Sequence, residues 1–258
     1  MDRMLYIAMS GAKETSLSLA ANSNNLANAN TTGFKADFNQ FRAMHVAGPG
    51  HDSRAYALSE RPATDLTAGP MNYTGRDMDV AVANDDWLVI QTPKGDEGLV
   101  KTASLQIKAD GSLVDIHGNP MLGADGPIVI PPAEKVDIGV DGTISIVPLG
   151  QPMQNLEIVG QLRIVRPNDT SPKQMEKGLD GYMRSKAGVT PQLDGRLMSG
   201  VLEASNVNTV QSLVDMISLQ RKYEMQVKMM NTSNKNEEKN NQLLSLCQSA
   251  CKNDQFIG

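Results

Sequence analysis

The chain has 258 residues, 40% hydrophobic and 21% charged, enough for one sizeable core or two smaller ones. A net charge of −5 and a pI near 5.3 offer no general attraction to phosphate backbones, and no Lys/Arg cluster is interleaved with aromatics, so nucleic acid is not an expected partner. No apolar run approaches the ~20 residues of a membrane span, and no signal-peptide core follows Met1-Asp2-Arg3-Met4, so any export is expected to proceed without a cleaved signal.

Residues 4 to 28 contain no Pro and only one Gly, and Leu5, Ala8, Ala12, Thr15, Leu19, Asn22 and Leu26 recur at heptad spacing. This predicts a helix with one narrow seam. Beside the seam stand Asn24, Asn25, Asn28 and Asn30, poor helix formers at about 0.6 kcal/mol each relative to Ala. Two readings stay open for them: bonds across helix interfaces that fix register, or an exposed polar face. Thr31-Thr32-Gly33 supplies the stop, because Gly accepts the left-handed conformation of a helix C-cap.

From residue 34 to 75 periodicity fades, with Gly48-Pro49-Gly50, Arg61-Pro62 and Gly69-Pro70 as breakers, which predicts an extended, loop-rich connector. Phe34, Phe38 and Phe41 fit one helical turn or an apolar hook that pins the connector to a neighbouring surface.

Residues 76–200 switch to a period of two, as in Met78, Val80, Val82 and Trp87 to Gln91, with Asp110-Gly111, Asp125-Gly126 and Asp141-Gly142 as hairpin punctuation. An all-β domain of short antiparallel strands follows. Residues 201–246 return to a helical period, with Ser205-Asn206 as the N-cap pair and Leu213, Met216, Gln220, Tyr223, Val227 and Met230 as a seam holding one polar position. The polar stretch from Asn231 to Asn241 interrupts that seam before Leu243, Leu244 and Leu246 resume it. A tail, residues 247–258, holds the two cysteines, Cys247 and Cys251, which read as free thiols. The fold class is therefore α+β, with discontinuous terminal helices pairing as a coiled-coil-like domain around a central β domain. Each helix has too narrow a seam to stand alone, so neighbouring copies are expected to complete its burial.

The stretch "SNNLANANTTGFKADF" resembles the Asn-Asn-Leu-Ala-Asn…Thr-x-Gly-Phe-Lys signature of the bacterial flagellar rod and hook family. "RDMDVAVANDDWLVIQTPKG", "MSGVLEASNVNTV" and "MISLQRKYEMQVKMM" are similar to its central β domain and C-terminal helix, in the same order. The opening stretch, Trp87-Leu88 and "NQLLSL" look most like a proximal rod subunit, a distal rod or hook subunit being the alternative. The resemblance implies a structural subunit whose terminal helices form a hollow axial tube, transmitting torque across the periplasm and letting export substrates pass. It also implies partners among other rod subunits and the flagellar type III export apparatus. The implied assembly residues are Leu5, Leu19, Asn24, Asn25, Leu26, Asn28, Thr32, Gly33 and Phe34 at one end, with Leu213, Met216, Gln220, Tyr223, Val227 and Met230 at the other.

A competing reading is a monomeric periplasmic hydrolase or cell-wall-binding module, since paired carboxylates such as Asp77/Asp79, Asp85/Asp86 and Asp96/Glu97 suffice for glycoside hydrolysis. Those pairs fit turn chemistry better. His45, His51 and His117 form no ligand spacing, so no catalytic residue, metal or cofactor is expected.

Overall fold

The structure is a computed structural model that describes residues 3–45, 55–150, 156–169, 171, 174–192 and 195–253. Gly48-Pro49-Gly50, His51 and the end of the tail, residues 254–258, lie outside the described residues. Helices α1 (Arg3–Ala27) and α2 (Thr209–Asn253) bracket the strands β1 (Asp37–His45), β2 (Ala55–Thr64), β3 (Met71–Tyr73), β4 (Asp79–Val82), β5 (Trp87–Gln91), β6 (Glu97–Val100), β7 (Thr102–Ile107) and β8 (Leu113–Asp115). These are followed by β9 (Ala133–Ile138), β10 (Thr143–Pro148), β11 (Glu157–Gln161), β12 (Ile164–Pro167), β13 (Met175–Lys177), β14 (Met183–Ser185), β15 (Val189–Pro191), β16 (Leu197–Ser199) and β17 (Val201–Glu203). The chain divides into two compact units, one of Met1–Leu26, Asp37–Pro62 and Thr209–Gly258, the other of Ala27–Ala36 and Ala63–Asn208.

In the helical unit, α1 buries Ala8, Ala12 and Thr15 and half-buries Leu5, Leu19, Asn22 and Leu26, which is the stripe its spacing predicts. Small residues let α2 come close: a Cβ added at Gly11 would lie 2.8 Å from Gln226 Nε2. Asn22 Nδ2 donates to the Ser212 carbonyl at 2.6 Å. Residue 11 faces 226 and residue 22 faces 212, so the two helices run antiparallel.

The seam expected on α2 is corrected at three of its six positions, Met216, Val227 and Met230 lying on the covered face. Leu213, Gln220 and Tyr223 are exposed, while the covered face runs through Ser212, Met216, Leu219, Gln226, Val227, Met230 and Ser233. The reason is packing. Against Ala8, Gly11, Ala12 and Thr15, a face carrying two serines approaches more closely than the most apolar face would. The polar stretch 231–241 does not break the helix. Its side chains are mostly exposed, and its Lys and Glu residues are good helix formers.

The expected connector is corrected as well, because β1 and β2 pair as a two-stranded sheet where loops were predicted. β1 spans Asp37–His45, nine residues without Gly or Pro. Positions 38 and 41 lie in this strand, so Phe34, Phe38 and Phe41 form no helical turn.

In the β unit, the sheets are β13-β14-β6-β5-β12-β15, β16-β4-β7-β8, β11-β10-β9 and β17-β3, with neighbouring strands antiparallel. β5 lies between two cores. Leu88 and Ile90 join Val80, Leu105, Leu113, Ile144 and Ile146 on one side, while Trp87 and Val89 join Leu99, Val165 and Met183 on the other. A strand buried on both faces reads as a continuous apolar run, as "WLVI" does.

Candidate functional site

The two ends of the β unit's chain meet at one buried junction. Gly33 adopts φ +71°, which closes the turn after α1 and lets its N–H reach the Glu203 carbonyl at 2.8 Å. Two residues on, Lys35 is only 3% exposed, and its Nζ pairs with Glu203 Oε1 at 2.6 Å while donating to the Thr67 carbonyl at 2.8 Å. The same Glu203 oxygen accepts from Gly69 N–H at 2.8 Å. A buried ion pair holds only when its remaining donors and acceptors are met, and here they are met by backbone.

Asn206 ties the same three segments together. Its Oδ1 accepts from Ala36 N–H at 2.8 Å, and its Nδ2 donates to the Asp65 carbonyl at 3.0 Å and the Thr67 carbonyl at 3.2 Å. This use corrects the reading of Ser205-Asn206 as a helix cap: both residues precede Thr209, where α2 begins. Above the junction, Lys177 Nζ sits 3.7 Å from the Phe34 ring centroid and donates to the Lys35 carbonyl at 3.0 Å.

Lys101 is the second buried lysine of this region. Its Nζ donates to the Asn84 and Asp86 carbonyls at 2.5 and 2.8 Å and lies 4.7 Å over the Trp87 ring. Burial, reinforced by the charge of Lys35, lowers its pKa from 10.5 to about 8.

The asparagines divide by role. Asn25 is buried and exchanges two hydrogen bonds with the backbone of Asp37, and Asn22 reaches across to α2. Asn28 Oδ1 accepts from Thr31 Oγ1 at 3.2 Å in the turn after α1. Asn24 is exposed, as is Thr32. Of the remaining residues expected at an assembly surface, Gly33 and Phe34 belong to the junction. The structure thus scatters the expected set over the junction, the α1–α2 contact and exposed helix faces.

Lys35, Glu203 and Asn206 carry the junction and are absent from the expected set, as is the buried Lys101. Lys35 had a signal, following Gly33-Phe34 directly; Glu203, a lone acid in "SGVLEAS", had a weaker one. The acids weighed for hydrolysis serve the fold. Asp79 is buried and accepts from Ser104 Oγ at 2.7 Å; Asp86 is buried against Arg166 at 2.8 Å. Burial of these two departs from the expected exposed turn. Glu97 pairs with Arg163 at 2.7 Å, and His117 with Asp115 at 2.9 Å. A groove of about 650 Å³ lined by Arg76, Asp77, Gln106, Glu134 and Lys135 holds no His, Cys or Ser. Among the described residues no group of three or more His, Cys, Asp or Glu is placed to hold a metal ion, and no helix is long and apolar enough to cross a membrane.

Two family models match the chain: the flagella basal body rod protein model over residues 5–35, and the flagellar basal body rod FlgEFG protein C-terminal model over residues 198–243. The matched stretches are the two that enter and leave the junction. The flagellar basal-body rod protein FlgF of Escherichia coli (strain K12) is 39% identical over 95% of this chain and 100% of its own length. FlgF of Caulobacter vibrioides is 32% identical over 90% of this chain and 94% of its own, and the rod protein FlgG of Buchnera aphidicola subsp. Schizaphis graminum is 31% identical over 93% and 98%. The chain belongs to the flagellar basal-body rod protein family and is FlgF-like within it.

Proposed function

We propose that this chain is a structural subunit of the proximal rod, polymerising through α1 and α2 into a hollow shaft that spans the periplasm, transmits torque and lets export substrates pass. The observation that carries the reading is the uncovered apolar surface of both helices. Met9 and Leu17 on α1, and Val210, Leu213, Val214 and Ile217 on α2, are each more than 40% exposed in the single chain. Apolar surface on this scale marks an interaction site. The junction supports the same reading, since it holds residues 33–36 and 203–206 together and so fixes the points from which both helices leave. The subunit reaches the rod through the flagellar type III apparatus, contacts other rod subunits above and below, and performs no catalysis.

The test is immunogold labelling of an epitope-tagged chain in basal bodies isolated from motile cells. Label on the rod segment is expected. Label confined to soluble periplasmic or cytoplasmic fractions of motile cells would contradict the proposal, and the cell-wall-binding reading would then be reopened.

A further inference from the structure

We propose that Asp125-Gly126 is a self-modification site, where the Gly126 backbone nitrogen closes on the Asp125 side chain to form a succinimide that water opens to isoaspartate. The site goes beyond the rod reading and does not depend on it. The sequence holds five Asp-Gly pairs, beginning at Asp110, Asp125, Asp141, Asp180 and Asp194, and the first four lie among the described residues. Glycine favours ring closure at each of them, because it has no side chain to shield the attacking nitrogen.

The fold restrains three of the four. Asp110 Oδ1 accepts from the Ser112 N–H at 3.0 Å and from the Ser112 hydroxyl at 2.6 Å. Asp141 accepts the same two bonds from Thr143, at 3.0 and 2.6 Å. Asp180 accepts from the Tyr182 N–H at 3.3 Å and from Arg184 Nη1 and Nη2 at 3.0 and 2.7 Å. The neighbouring glycine nitrogens are engaged as well: Gly111, Gly142 and Gly181 donate to the carbonyls of Lys108, Gly139 and Gly178 at 2.9, 3.0 and 3.0 Å. Asp125 differs on both counts. It is exposed, and among the described residues neither its carboxyl nor the Gly126 N–H has a hydrogen-bond partner. Gly126 lies at φ +130°, and a Cβ there would meet nothing within 4 Å, so the turn is open around it.

The chemistry separates the pairs in the same direction. The N–Cγ bond forms as a Cγ–O bond breaks, and the hydroxyl of the carboxyl group leaves as water with the proton of the amide. Ring closure therefore takes the neutral carboxyl. Hydrogen bonds from Ser112, Thr143 and Arg184 favour the ionised form of Asp110, Asp141 and Asp180 and lower their pKa values from the ordinary one. Water then opens the ring. Attack at Cγ restores aspartate, and attack at the main-chain carbonyl carbon of Asp125 gives isoaspartate, so the net change is an isomerisation. The isoaspartyl link adds one carbon to the main chain inside the turn that the Gly123 N–H closes on the Gly126 carbonyl at 2.7 Å.

The test incubates the purified full chain, folded and in urea, in mildly acidic oxygen-18 water and reads its tryptic peptides by mass spectrometry. Each ring opening brings in one solvent oxygen. Asp110 and Asp125 share the tryptic peptide that runs from residue 109 to 135, so fragment ions are used to separate them. In the folded chain, labelled isoaspartate is expected to form at Asp125 about ten-fold faster than at Asp110, Asp141 or Asp180, since each of those must first break two or more hydrogen bonds. In urea the four rates are expected to converge. Asp125→Glu, whose longer side chain closes a six-membered ring far more slowly, should remove the label at that position and leave the other three unchanged. Equal label at the four pairs of the folded chain, an excess at Asp125 that persists in urea, or no label at Asp125 would each overturn the proposal.

Discussion

Asn25 and Asp37 are joined by two reciprocal hydrogen bonds: Asn25 Nδ2 donates to the Asp37 carbonyl at 2.7 Å, and Asp37 N–H donates to Asn25 Oδ1 at 2.8 Å. A side-chain amide here does what a neighbouring strand would do for the backbone at the start of β1. Removing it leaves a donor and an acceptor unmet at a buried position, so Asn25→Ala is expected to cost ~1–3 kcal/mol. Asn30→Ala, at an exposed position, should stay within ~0.5 kcal/mol. Urea unfolding of both variants, with exchange of the Asp37 amide as a local readout, checks the contrast.

The Lys35–Glu203 pair, each side chain only 2% exposed, should be far costlier to halve than to replace. Lys35→Met or Glu203→Met alone strands a buried charge and is expected to lose about 3–5 kcal/mol, whereas the double variant Lys35→Met/Glu203→Met recovers most of it. A double-mutant cycle by chemical denaturation measures the coupling. Additive losses would count against the pairing.

Lys101 predicts a stability that rises on the alkaline side. Its folded pKa is about 8 and its unfolded one near 10.5, so between those values the unfolded chain binds more protons and is disfavoured as pH increases. Below pH 8 both states are protonated, and the burial penalty is present in full. Relief across the window amounts to about 3 kcal/mol. Lys101→Met should flatten this slope relative to the parent chain. Because Trp87 is the one tryptophan and lies beneath Lys101 Nζ, its fluorescence should titrate near pH 8 in the parent and not in the variant.

Gly69 is required by a close approach. A Cβ there would lie 2.1 Å from the Ala204 carbonyl oxygen, a backbone atom that cannot step aside. Gly69→Ala is expected to cost more than about 2 kcal/mol by parting the strand entry from residues 203–205. A thermal midpoint unchanged from the parent's would show that the backbone yields more easily than this geometry implies.

Helix at both ends and β in the middle were legible in the sequence because the hydrophobic period changes twice, and α1's buried stripe follows its heptad positions through Leu5, Ala12 and Leu19. The seam of α2 was legible only in part: of the six positions expected, Met216, Val227 and Met230 are covered, and Leu213, Gln220 and Tyr223 are exposed. Its apolar residues lie on two faces, and the choice between Met216–Met230 with Ser212 and Leu213–Tyr223 with Gln220 depends on the small residues of α1, a partner about 200 positions away. β1 and β2 escaped detection because strand pairing is non-local and the stretch is broken by Gly and Pro. The junction was half visible. Gly33 and Phe34 stand in a run whose turn chemistry is plain, but Lys35 reads as a surface lysine until Glu203, 168 residues later, is seen beside it.

The most direct test of the central claim, that α1 and α2 are completed by neighbouring copies, is hydrogen exchange on the dilute single chain and on isolated rods. The claim predicts that amides of α1 and α2 exchange much faster than those of β4, β5 and β7 in the dilute chain and become protected in the rod. Equal protection of the helices and the β unit in the dilute chain would contradict it, because helices already complete in one copy need no neighbour.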